Sequence, residues 1–130
     1  MVIDTSVLIA ILANEPEAEL LEAAIDADPV RLISAASVLE AAIAAEARYG
    51  GIGGRKLDLL LYKAEIQIVA VTPDQVDAGR QAFSMYGKGR HPAALNFGDC
   101  FSYALAKTSG EPLLFKGSDF SQTDVVITPQ

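Results

Sequence analysis

At 130 residues the chain has the length of one domain, and 51% hydrophobic residues supply a core, which excludes a disordered polymer. Its single cysteine, Cys100, excludes an internal disulfide framework and suits a reducing cytoplasm. The net charge of −7 argues against binding nucleic acid by broad phosphate neutralisation and suits a basic protein partner.

Val2-Ile3 reads as a brief strand, and Ser6 to Ala13 as a helix that Asn14 and Pro16 interrupt. Glu17 to Asp26 is amphipathic, with Leu20, Leu21 and Ile25 expected inward and Glu19, Glu22 and Asp26 outward. Pro29 ends it, and Val30 to Ile33 forms the second strand. Ser34 or Ser37 caps an alanine-rich helix running to about Arg48. "YGGIGG", Tyr49 to Gly54, is expected to break that helix and form a mobile joint before a helix from Arg55 to Ile66. Ile68 to Val71 is the third strand, and Pro73 opens a helix to about Met85. "YGKGRHP" is a loop. Asn96 caps a helix from about Phe97 to Thr108, which Gly110 stops. Leu113 to Phe115 is the fourth strand, and Val125 to Ile127 a fifth at a sheet edge.

No repeat or long linker divides the chain, so a single domain over residues 1–130 is expected. No apolar run approaches the ~20 residues of a membrane span, and no basic segment leading into an apolar core marks an export signal. Strands separated by helices imply parallel pairing and right-handed crossovers. The expected architecture is a small three-layer α/β/α sandwich around a short, mainly parallel sheet. In such sheets the working crevice lies beyond the carboxyl ends of the strands.

Four acids fall near that crevice. Asp4 follows the first strand and Asp119 the fourth, in "LLFKGSDF". Glu40 lies in the helix after the second strand, with Ala36, Ser37, Ile43 and Ala44 as its helical neighbours and no basic partner among them. Asp99 lies in the first turn of the helix after the long loop, in "NFGDCF". Each has a structural explanation. Asp4 can cap a helix, Ser37-x-x-Glu40 and Asn96-x-x-Asp99 resemble capping boxes, and "GSD" is an ordinary turn. Four unrelated capping acids, however, have no reason to gather at crevice-side ends. Converging carboxylates raise one another's pKa and repel, and a hard divalent cation relieves this. Such a site can orient a phosphodiester and lower the pKa of an attacking water.

The set "VIDTSVL", the helix acid in "SAASVLEAA", "LNFGDCFSYALAK" and "LLFKGSDFSQTDV" resembles the PIN-domain ribonucleases, and more closely the VapC-type toxins of bacterial toxin–antitoxin pairs. The likeness covers essentially the whole chain in order. It implies a PIN-like fold in which Asp4, Glu40, Asp99 and Asp119 bind Mg²⁺ or Mn²⁺ and cleave RNA. It also implies that Ser6 helps shape the site, that the chain is commonly a homodimer, and that a cognate antitoxin wraps it and blocks the crevice, often with a basic side chain among the carboxylates. Many relatives carry Asn where Ser118 stands; serine can still hydrogen-bond a metal-bound water. Asp124 is a candidate supporting group, or equally an acid of a turn or strand edge.

Other residues point less clearly to chemistry. His91 is the only histidine, and its loop has no nucleophile of the kind a triad needs. Cys100 beside Phe101 and Ala104 reads as a small buried apolar group. "GGIGGRK" has neither the spacing of a phosphate loop nor a preceding strand. Arg55, Lys56, Lys88, Arg90 and Lys116 read as solvated charges, with Lys116 placed nearest the acids. The aromatics Tyr49, Tyr62, Phe83, Tyr86, Phe97, Phe101 and Tyr103 suit core or dimer packing better than base stacking. Two alternatives to a nuclease toxin are a non-catalytic PIN-like module that binds a partner and a phosphatase with an aspartate after its first strand. The phosphatase chemistry wants a second aspartate where Ser6 stands.

Overall fold

A computed structural model describes residues 1–129. Its elements run β1 (Val2–Ile3), α1 (Thr5–Leu12), α2 (Ala18–Ala27), β2 (Leu32–Ser34), α3 (Ala35–Tyr49), α4 (Gly51–Lys63), β3 (Gln67–Val69), α5 (Pro73–Tyr86), α6 (Phe97–Ser109) and β4 (Leu113–Leu114). The strands form one parallel sheet in the order β3-β2-β1-β4. Because side chains alternate along a strand, Met1, Ile3, Ile33 and Leu114 feed one core with α1, α2, α3 and α4. Val2, Leu113 and Phe115 feed a second core with Tyr103, Leu105, Phe120 and Val125. Helices therefore cover both faces, and the expected α/β/α sandwich is the observed one.

Several sequence expectations shift. The Val125 to Ile127 stretch is not a strand; it makes a single parallel bridge, Leu113 to Ile127, outside β4. Leu20 is 62% exposed, because the buried stripe of α2 runs through Ala18, Leu21 and Ile25 and leaves Leu20 on its flank. The glycine segment is not a joint. Only Gly50 breaks the chain, at φ +70°, while Gly51 to Gly54 lie inside α4. A Cβ at Gly53 would stand 2.6 Å from the carbonyl carbon of Ala45. The glycine is there to let α4 press onto the α3 backbone.

α6 shows why helices start where they do. The Asn96 side chain accepts from the Asp99 N–H at 2.9 Å, and Asp99 Oδ2 accepts from the Asn96 N–H at 3.0 Å. This is a complete capping box. At α3 the cap is Ser34, whose hydroxyl accepts from the Ala36 N–H at 3.2 Å. Ser37 is therefore already three residues inside, and no Ser37–Glu40 box forms. Its hydroxyl is buried and has no hydrogen-bond partner among the described residues.

Candidate active site

Asp4 is the residue between β1 and α1. Its N–H donates to the Leu114 carbonyl at 3.0 Å, which continues the β1–β4 ladder. Its Oδ2 accepts the Ser6 N–H at 3.1 Å and so caps α1. Its Oδ1 accepts the Ser102 hydroxyl at 2.5 Å. The strand thus delivers a carboxylate that is only 6% exposed, with both oxygens oriented by neutral donors.

Asp99 reaches the same place from α6, one turn before Ser102 on the same helix. Antiparallel to the sheet, α6 starts at the carboxyl ends of the strands. Asp99 is buried, and its carboxyl is pushed up to about 7. Burial is the main cause; the Asn96 N–H opposes it, while the charges of Asp4 and Asp119 and a hydrogen bond with Asp119 push it further up.

Asp119 arrives from the turn after β4. Gly117, at φ +110°, lets the chain reverse, and Phe120 anchors the turn by stacking edge-on against Phe115 at 5.1 Å. Asp119 itself is exposed. Glu40 comes from the second turn of α3 and is also exposed. Its carboxyl group lies over Gly98, the residue before Asp99.

The structure therefore couples Asp4, Asp99 and Asp119 electrostatically, while Glu40 lies over Gly98 at the start of α6. Lys116, the basic residue nearest along the chain, is paired with Glu15 and with Glu17, the latter at 3.2 Å. Among the described residues no group of three or more His, Cys, Asp and Glu side chains is close enough together to hold a metal ion. The donor chemistry nevertheless fits a hard cation. The four acids offer only carboxylate oxygens, buried on Asp4 and Asp99 and exposed on Glu40 and Asp119.

The supporting residues divide. The Ser6 hydroxyl accepts the Lys116 N–H at 2.9 Å, so it ties α1 to the segment after β4. Ser118 braces its own turn, its carbonyl accepting the Ser121 hydroxyl at 2.6 Å. Asp124 does not join the other acids. It accepts the Tyr103 hydroxyl at 2.5 Å and pairs with Lys107 at 3.0 Å, which together hold its carboxyl below the usual range, the tyrosine contributing most. Ser102 is not among the residues that sequence pattern singles out. The available signal was a hydroxyl three residues after Asp99 in the apolar run "CFSYALA".

The chain matches the PIN domain family over residues 1–126. It is 64% identical over 125 residues to Ribonuclease VapC of Mycolicibacterium smegmatis, covering 96% of this chain and 97% of that one. It is 62% identical over 125 residues to Ribonuclease VapC30 of Mycobacterium tuberculosis, covering 96% and 95% respectively. Among solved structures it resembles Mycobacterium tuberculosis VapC20, a sarcin-ricin loop cleaving toxin, with a TM-score of 0.78 at 18% identity over 98% of each chain. It also resembles a toxin–antitoxin complex from Klebsiella pneumoniae, with a TM-score of 0.74 at 21% identity, covering 99% of this chain and 97% of that one. At such identities these two likenesses speak to fold.

Proposed function

Because this chain belongs to the PIN-domain family, and within it to the VapC-type ribonucleases, we propose that it hydrolyses RNA with a divalent ion held by Asp4, Glu40, Asp99 and Asp119. Its class is that of an endoribonuclease, the toxin of a toxin–antitoxin pair. The observation that carries the metal reading is that Asp4 and Asp119 crowd Asp99, while the hydrogen bonds to the buried Asp4 and Asp99 come from neutral donors.

Mg²⁺ or Mn²⁺, when bound, supplies positive charge against the phosphodiester and a water of lowered pKa. The chain's own groups do the rest. Ser102 and the Ser6 N–H aim the Asp4 carboxylate. The Asn96 N–H fixes one oxygen of Asp99 and leaves the other toward the pocket. Without an ion, burial and the neighbouring charges of Asp4 and Asp119 push the Asp99 carboxyl up to about 7. Exposed Glu40 and Asp119 give the site its open side, where a single RNA strand has access.

Partners follow from the surface. The groove between α1, α2 and α4 is lined by Ile11, Ile25 and Leu59 together with Glu22, Asp26, Lys56 and Lys63. An apolar groove edged by charges of both signs suits an amphipathic helix, and we assign it to the antitoxin. The face carrying exposed Leu39, Ile43, Phe83 and Phe97 is more apolar. That character is typical of homodimer contacts, and we assign it to a second copy. We place the assembly in the cytoplasm. Among the described residues no helix is long and apolar enough to cross a membrane.

The test incubates pure protein with mixed RNA and Mn²⁺, with and without EDTA, beside Asp4→Asn and Asp99→Asn. Cutting that EDTA and both substitutions abolish is the expected result. Equal cutting by parent and variants would place the activity elsewhere.

A further inference from the structure

We infer that Gly98 is a positioning residue whose missing side chain is the seat of the Glu40 carboxylate, an inference that rests on the metal reading above. An ideal Cβ built at Gly98 would stand 2.8 Å from both Cδ and Oε1 of Glu40, and closer still to Oε2. Real side chains do not approach so closely. The backbone gives no other reason for the glycine. Gly98 is the second residue of α6 and has no positive φ. Alanine has the higher helix propensity. What the glycine provides is room.

The room lies where it matters. Gly98 precedes Asp99, so the Glu40 carboxylate rests on the first turn of α6, the turn from which Asp99 projects. Ala36, Leu39 and Ile43 of α3 and Phe97 and Phe101 of α6 wall this spot. The N-terminal end of a helix also favours a negative group. Glu40 is exposed and long, and the atoms a methyl group would strike are its far end rather than backbone. A side chain at position 98 therefore leaves the fold intact and turns Glu40 away.

The experiment measures Mn²⁺ binding to the metal-free protein by titration calorimetry, together with melting temperature. Gly98→Ala should melt with the parent and bind Mn²⁺ about tenfold more weakly, the loss typical of groups that orient ligands. In a Glu40→Gln background the same substitution should change nothing further, because its effect passes through Glu40. Glu40→Asp should restore part of the binding in Gly98→Ala, since the shorter side chain clears the methyl group. Parent-like binding by Gly98→Ala, or an equal loss in both backgrounds, overturns the role given to Gly98. So does a fall in melting temperature that Glu40→Ala does not repair. Asp99→Asn is the control: if it binds Mn²⁺ like the parent, the metal reading itself fails and this inference with it.

Discussion

The Ser102 hydroxyl donates to Asp4 Oδ1 at 2.5 Å, across 98 residues of sequence. This bond joins the middle of α6 to the end of β1 and orients a buried carboxylate. Ser102→Ala leaves that oxygen without a partner. An unsatisfied buried acceptor costs about 1–3 kcal/mol. The expected result is a melting temperature lower by roughly 3–10 °C and Mn²⁺ binding weaker by about tenfold, read by calorimetry on the metal-free protein.

Asp99→Asn should separate stability from chemistry. The Asp99 carboxyl, raised to about 7, has a folded-state pKa above its ordinary value of 3.8. Its negative charge therefore opposes folding. The protein without metal gains from the protonated form at low pH and loses that gain as pH rises from about 4 toward 7. Asparagine keeps an acceptor for the Asn96 N–H and carries no charge. At pH 8 without metal the variant should melt at least as high as the parent, while RNA cleavage falls by about a hundredfold or more, as loss of a metal-aligned group does. Unfolding of the variant at pH 8 would make capping the main task of Asp99.

A different acid governs the low-pH limb. Asp124 is held below 3.8 by the Tyr103 hydroxyl first and Lys107 second. Its contribution is present above pH 3.8 and disappears as pH falls through the lower folded value. Tyr103→Phe should flatten that part of the curve. Melting temperatures from pH 6 to pH 2.5 should show parent and variant converging at the acid end, with the gap opening above pH 4.

The glycines of α4 make opposite predictions within four residues. At Gly53 the neighbour is the Ala45 backbone, which cannot move aside as a side chain end can. Gly53→Ala should cost about 1–3 kcal/mol through overpacking. At Gly51 and Gly54 an added methyl group would meet nothing within 4 Å. Alanine at either should stabilise by about 0.5–1 kcal/mol by restricting the unfolded chain. Urea melts of the three variants test the contrast.

Periodicity and punctuation made most of the fold legible. Asn96, Pro73 and Gly110 lie at the helix ends where their chemistry places them. The two-residue strands were readable because each is an apolar pair beside a helix cap. What the sequence hid was contact. Nothing local tells that Gly53 touches Ala45, so a cluster of glycines reads as a joint when it is a packing device. Likewise "SVLE" looks like a capping box, but the chain enters α3 three residues earlier, through Ser34. At the site, Asp4, Asp99 and Asp119 were visible from their places after strands and at a helix start. The orienting Ser102 and the space kept free at Gly98 were not, because both act only once α6 has been laid against its neighbours.

Lys116 fastens two regions that have separate duties. Its side chain holds Glu15 and Glu17, between α1 and α2, while its N–H holds Ser6. Three residues on stands Asp119. One lysine thus braces the entry to α2, the start of α1 and the turn that carries Asp119 against one another.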